Sequence, residues 1–493
     1  MEYSLTKQMG FLFVGRFVAF SFVFAIPLVL VRVFSPEEFG LYKQLFLIHE
    51  TLSLSLTLGL SASIFYFIPH YPSNWRAYLY QTLFILGCLG MLGAGGLVAF
   101  KSQVAGLLNN PDLEFYIPYL ATYTGISLLT ANLENIMVVL KHSRLVAWTI
   151  ALSDFLRAFL MIGAAIWAHS MLVLVLAALG WMICRLIMLL LYLRTLGVSW
   201  WVRPELARVT EQFRYSIPFG LAVMLVVFSD SLHQYVVSYK YNPALFAIYS
   251  VGCLQIPVIS MVYSSVSEVT LVRLMELLKD GNLEECVQVI GESVGKLCLL
   301  LIPLYVWVTV NARDVIVFLF TERFEESADI VKIFLGVILL AVFQLDYVPR
   351  AFADTRFILQ VNIVRFVLTT ILLFVLTGLM GMHGAALAVV LALGATKLLI
   401  VLKVKALLHT DLKHLFPWRQ LGRIGTASVM AGLVTWIFQD TWSLNVGIKL
   451  FLSGGAFTVV YAILAWKLNG IEPHQKLWVT GRLHKFTRLS VGV

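Results

Sequence analysis

Val31-Arg-Val-Phe-Ser-Pro-Glu-Glu-Phe-Gly-Leu-Tyr42 returns in altered form as Ser238-Tyr-Lys-Tyr-Asn-Pro-Ala-Leu-Phe-Ala-Ile-Tyr249, 207 residues further along the chain. Pro36 matches Pro243, Phe39 matches Phe246 and Tyr42 matches Tyr249 at that one offset. Each copy leaves one long apolar run and enters another through a short polar turn. Internal duplication of this kind is the first thing a repeat architecture writes into a sequence. A duplicated apolar half is how many transporters are built.

The rest of the chain agrees with a lipid-solvated protein. Its 493 residues are 60% hydrophobic and only 13% charged, with a mean hydropathy of +0.88. A water-soluble chain of this size carries far more polar surface. Apolar runs of about 20 residues, long enough to cross the hydrocarbon core, number about fourteen. Their approximate limits are 10–32, 40–68, 78–100, 115–140, 145–168, 171–194, 214–239 and 245–271, then 290–311, 328–348, 357–379, 381–403, 421–438 and 446–467. The first run passes Leu30 without a small-residue exit, so no cleavable signal peptide is expected.

The duplication continues past its opening motif. Lys141-His-Ser-Arg144 resembles Ala353-Asp-Thr-Arg356, Asp154-Phe-Leu-Arg157 resembles Asn362-Ile-Val-Arg365, and Ala178-Leu-Gly180 resembles Ala392-Leu-Gly394. Six spans per copy is an even number, so both copies enter from the same side. The axis relating them then lies along the membrane normal, with a cavity between. The expected fold is an all-α polytopic membrane protein of about 14 transmembrane helices. Its parts are an N-terminal lobe (1–198), a C-terminal lobe (199–410), two extra helices (411–470) and a basic cytoplasmic tail (471–493).

Lysine and arginine set the orientation. With the N-terminus inside, the inner loops and tail hold about four times as many as the outer face, which keeps Arg32, Lys101, Lys240, Arg313 and Arg323. Both termini are therefore expected in the cytoplasm. The net charge of +9 serves topology and anionic headgroups, and no nucleic-acid partner is expected. The outward connection 312–327 reads as a short amphipathic helix, and the tail beyond Pro473 as an interfacial one.

Several chemistries are excluded. There is no G-x-x-x-x-G-K-[ST] loop and no H-E-x-x-H. Cys88, Cys184, Cys253, Cys286 and Cys298 lack metal or disulfide spacing; four lie in apolar runs and Cys286 reads as part of a polar loop. Gly87, Gly90, Gly93, Gly95 and Gly96 sit mid-span, where close helix packing explains them. No outward loop is long enough to house the catalytic groups of a membrane glycosyltransferase or polymerase. No cofactor, metal or enzymatic activity is expected.

Charge inside a bilayer is costly, so each ionisable group there is a functional candidate. Arg16, Arg157, Arg185, Lys296 and Arg365 are the candidate cavity cations. An arginine fork grips phosphate oxygens in pairs, which suits an anionic headgroup. Glu50, Asp154, Asp230 and His233 are candidates for ion coupling, with His49 beside Glu50. The plain alternative is neutralisation: Asp154 and Arg157 stand three apart on one helix, and Lys397 near a helix end can snorkel.

At Leu30–Tyr42, at Gly59-Leu-Ser-Ala-Ser-Ile-Phe-Tyr-Phe-Ile-Pro69 and at Tyr249-Ser-Val-Gly-Cys-Leu-Gln-Ile-Pro257, the chain resembles the polysaccharide-lipid exporters, which include the O-antigen flippases. They belong to the multidrug/oligosaccharidyl-lipid/polysaccharide superfamily. The resemblance covers most of residues 1–410. It implies two six-helix lobes and alternating access through a central cavity. The implied cargo is an undecaprenyl-diphosphate-linked oligosaccharide, moved from the inner to the outer leaflet of a bacterial inner membrane. Arg16 corresponds loosely to a first-helix arginine of related lipid flippases. Membrane lipids, a glycan polymerase and glycosyltransferases are the further partners it implies. The alternatives are a drug or amphiphile exporter of the same superfamily, and a glycan polymerase or ligase.

Overall fold

The computed structural model describes residues 21–197, 205–254, 257–439 and 445–470. Among them every regular element is helical. Eight helices are long and apolar enough to cross a membrane, and the shorter Ser21–Val33 and Pro243–Gly252 are apolar as well. The chain is a multi-pass membrane protein. It divides into two compact units, Met1–Ser250 and Val251–Val493.

The described part of the first unit opens with α1 (Ser21–Val33). Then come α2 (Pro36–Leu56), α3 (Leu60–His70), α4 (Trp75–Ala99), α5 (Lys101–Leu107), α6 (Leu113–Thr130) and α7 (Leu133–Val139). The helices α8 (Ser143–Ala168), α9 (Met171–Thr195) and α10 (Leu206–Lys240) complete it, and α11 (Pro243–Gly252) starts within it. The duplicated motif explains two of these starts. Ser35 caps α2, its hydroxyl accepting from the Glu38 amide while the Glu38 carboxylate accepts from the Ser35 amide, and Pro36 occupies the first turn. A reciprocal cap of this sort satisfies two orphan amides and stabilises by about 1 kcal/mol. Asn242 caps α11 in one direction only, accepting from the Leu245 amide at 2.9 Å. Phe39, Tyr42, Phe246 and Tyr249 are all buried, so the matched residues of both copies are core.

Helix α2 packs against α6 and α10, α4 and α9 also pack against α6, and α8 packs against α9. Small residues set the closest approaches. A Cβ on Gly90 would stand 2.7 Å from the Gly125 carbonyl oxygen, whereas one on Gly95 or Gly96 would meet nothing. The mid-span glycines thus serve packing at one face of α4 only. Polar knots hold the remaining seams. Gln44 donates to the Leu108 carbonyl at 2.9 Å and to Ser238 at 2.8 Å, and accepts from Asn110 at 2.6 Å. Gln212 donates to Ser63 and Thr82 and accepts from Gln81. All of these are buried, and satisfied buried amides specify one register of packing.

The second unit contains α12 (Pro257–Lys279), α13 (Leu283–Val310), α14 (Ala312–Phe320), α15 (Ser327–Phe334), α16 (Gly336–Ala341), α17 (Tyr347–Ala351) and α18 (Thr355–Leu407). The short α19 (Leu412–Leu415), α20 (Trp418–Gln439) and α21 (Val446–Lys467) follow. The 53-residue α18 is two spans: at Gly381 (φ 60°, ψ −136°) the chain turns back. A Cβ on Gly384 would stand 1.9 Å from the Leu376 carbonyl oxygen, so the reversal needs glycine at both places.

The connection expected as an amphipathic helix is α14, followed by the 3-10 turn Glu322–Phe324, with Ala312, Ile316, Phe320 and Phe324 buried. Cys286 departs from expectation. It is a buried residue of α13, not part of a polar loop, because Asn282 caps the helix well before its apolar portion begins. The interfacial helix expected beyond Pro473 lies outside the described residues.

A candidate anion site in the first unit

Arg157 stands halfway along α8 with its guanidinium between two aromatic faces. It lies 4.9 Å from the Trp181 ring of α9 and 5.7 Å from the Phe46 ring of α2. Its Nε is buried and has no hydrogen-bond partner among the described residues. The expected neutralisation by Asp154 does not take the form of an ion pair. Asp154, Glu50, Tyr42 and Tyr123 surround Arg157 at electrostatic range. The aromatic faces favour a cation above them without occupying its donors. The result is a fixed positive charge with a free hydrogen-bonding edge.

Other groups extend the site along α2. Lys43, Phe46 and Glu50 follow the helical spacing i, i+3, i+7 and so share a face. Lys43 lies over the Phe39 ring at 5.6 Å and within electrostatic reach of the exposed Glu50. Lys43 was not singled out in the sequence, although its spacing from Glu50 marks it. One turn along, His49 Nδ1 is 3.1 Å from Thr124 Oγ1 and 3.2 Å from Ser53 Oγ, and its ring packs edge-on against Tyr123. Ser53 also meets Ser127 at 3.1 Å. The seam of α2 and α6 therefore presents a row of hydroxyls and one imidazole beside the arginine.

Arg185 plays a different part. It forms an ion pair with Glu134 at 2.7 Å, the side chains being 15% and 19% exposed, and donates to Ser153 at 3.1 Å. It braces α9 against α7 and α8. Asp154 is half-buried within reach of Arg157, Arg185 and Glu134. His233 is buried and meets the Tyr249 hydroxyl at 2.7 Å, tying α10 to the second copy of the motif. Asp230 is exposed on α10.

The remaining candidates lie in the second unit or outside the described residues. Lys296 is exposed on α13 and 3.9 Å from Glu292. Arg365 is half-buried on the first limb of α18, within electrostatic reach of Lys397. Lys397 itself does not snorkel: it is buried and paired with Asp346 at 2.6 Å. Arg16 lies outside the described residues.

The described residues thus make a helical membrane protein with ion pairs such as Glu134–Arg185 and Asp346–Lys397 among its helices. Several solved structures share its fold. "Lipid II flippase MurJ, inward closed conformation" aligns with a TM-score of 0.72 at 14% identity, covering 91% of this chain and 97% of that one. An inward-facing multidrug resistance MATE family transporter of the MOP superfamily aligns at 0.61 and 12%, covering 78% and 94%. A MOP superfamily transporter from Pyrococcus furiosus aligns at 0.53 and 13%, covering 82% and 94%. No curated protein matches the sequence. The profile of the polysaccharide biosynthesis protein family matches residues 29–329, and the chain belongs to that family.

Proposed function

We propose that this protein is a flippase for an undecaprenyl-diphosphate-linked oligosaccharide, moving it from the inner to the outer leaflet of a bacterial cytoplasmic membrane. The observation that carries this reading is Arg157: a cation inside the membrane span, held by two aromatic rings, with no ion pair among the described residues. An organic cation would find repulsion there, whereas a diphosphate would find a donor edge. A sugar diphosphate needs such a path because unsatisfied polar groups in hydrocarbon cost several kcal/mol each. Lys43 adds a second positive charge on the facing helix, and the hydroxyls along α2 and α6 suit sugar. O-antigen precursors fit this cargo class. Transport proceeds by alternating access of lobes 1–198 and 199–410, with both termini cytoplasmic and glycan polymerase and glycosyltransferases as partners.

The test uses the full chain in proteoliposomes with an undecaprenyl-diphosphate-linked oligosaccharide, reading its exposure to an externally added lectin. Arg157→Ala removes a charge-assisted hydrogen bond of ~1.5 kcal/mol, and so slows flipping by roughly tenfold. Arg157→Lys keeps the charge but loses the fork, and falls between. Unchanged flipping in a folded Arg157→Ala protein, or export of cationic dye in place of the glycolipid, overturns the proposal.

A further inference from the structure

Two ion pairs occupy matching places in the two copies of the repeat. Glu134 meets Arg185 at 2.7 Å in the first unit and Asp346 meets Lys397 at 2.6 Å in the second. Asp346 follows Glu134 by 212 positions, and Lys397 follows Arg185 by the same 212. That is also the offset between Lys141-His-Ser-Arg144 and Ala353-Asp-Thr-Arg356. Each acid sits at a break in its helix: Glu134 just past the one between Thr130 and Leu133, and Asp346 at the end of the one between Ala341 and Tyr347. Desolvation offsets most of the attraction in such pairs, so they stabilise weakly. Their presence in both copies asks for a use beyond stability.

The two pairs differ in what they can do with a proton. Either acid can take up a proton, but Arg185 stays charged under all ordinary conditions whereas Lys397 can also give up its own. Lys397 Nζ is held at 2.6 Å by Gln344 Oε1 and at 2.6 Å by Asp346 Oδ2. Its side chain is 9% exposed against 30% for Asp346, so the carboxylate is the more open end of the pair. Arg350 on α17 and Arg365 on α18 lie within electrostatic reach of Lys397. Tyr347 on α17 is engaged with Ser293 of α13 at 2.9 Å. On α12, which also packs against α17, Arg273 is taken up by Glu276 and Glu285. At the end of α18, Lys403 is taken up by Asp354.

We propose that Asp346 is a proton-binding site of the transport cycle, with Lys397 as its built-in counter-ion. A proton from solvent forms an O–H bond on Asp346 and breaks the ion pair. Lys397 is then left unneutralised beside Arg350 and Arg365, which raises the attraction of this region for an anion. The segment across the helix break is released from α18 at the same moment. The Glu134–Arg185 pair, whose acid is 19% exposed against 30% for Asp346, is the more enclosed counterpart in the first unit. The inference rests on the transporter reading and does not depend on which lipid is carried.

Infrared spectroscopy of the purified full chain in lipid, titrated from neutral to acid without substrate, reads the site directly. The carboxylic-acid C=O absorption should grow as pH falls, with one component band that is missing in Asp346→Asn and persists in Glu134→Gln. It should appear at higher pH in Lys397→Met, because the ammonium no longer favours the ionised form. Should Asp346→Asn fail to fold, Asp346→Glu must move the band without erasing it. A band indifferent to Asp346 substitutions, or a midpoint unmoved in Lys397→Met, overturns the proposal. In the same vesicles, flipping of an isoprenyl-diphosphate sugar probe should respond to a pH gradient in the native protein and Glu134→Gln, and lose that response in Asp346→Asn. A response that survives in Asp346→Asn also overturns it. A native protein that shows the band but does not flip the probe refutes the choice of substrate and leaves the proton site standing.

Discussion

Three membrane arginines that look alike in a hydropathy plot have different surroundings. Arg157 is braced by rings and, among the described residues, keeps its donors; Arg185 spends them on Glu134 and Ser153, and Arg365 lies near Lys397. Alanine should therefore separate the first two. Arg185→Ala leaves a buried carboxylate unpaired and costs about 3 kcal/mol of stability, read as a lower melting temperature in detergent. Adding Glu134→Gln should recover much of that loss. Arg157→Ala should cost little stability and act on transport. Equal destabilisation by the two substitutions would show that Arg157 is a brace as well.

At the scale of elements, close helix approach and charge at helix ends give the next expectations. A Cβ on Gly40 would lie 2.0 Å from the Pro243 carbonyl oxygen, where the two motif copies meet. Gly40→Ala should destabilise by about 1–3 kcal/mol. Gly95→Ala, in open space, should be neutral or stabilising by up to ~1 kcal/mol. Melting temperatures of the two variants decide this, and equal values would refute the seam. At the start of α18, outside the bilayer, Asp354 caps the helix through the Phe357 amide at 3.1 Å and pairs with Lys403 at 2.7 Å. The Lys403 ammonium, followed by that amide, holds the Asp354 carboxyl below its usual value. A carboxyl depressed in the fold contributes stability above its unfolded value, lost as pH falls through the folded one. Acid should thus loosen this helix start, and Asp354→Asn should flatten the acid limb of a thermal-unfolding profile.

For the molecule as a whole, the bias of lysine and arginine toward one face is the strongest directional signal. A fluorescent protein fused to the C-terminus should fold and fluoresce, while a phosphatase that works only outside the cytoplasm should be inactive at the same place. Active phosphatase there would invert the orientation. The family and the transporter fold follow from residues 29–329 and from the likeness to flippase and exporter structures. The lipid-linked glycan is argued from the charge held by Arg157.

Sequence alone settled the membrane character and the family, because these depend on composition, span length and local motifs. It also named Arg157 and Arg185, since any charge within an apolar run stands out. It gave no means of telling them apart. Whether a guanidinium meets a ring or a carboxylate depends on residues more than 50 positions away, such as Glu134 for Arg185 and Phe46 for Arg157. The Asp346–Lys397 pair was equally hidden, although its shared offset was present in the chain. Only tertiary packing brings α17 and α18 together, and only that contact turns two isolated charges into a pair.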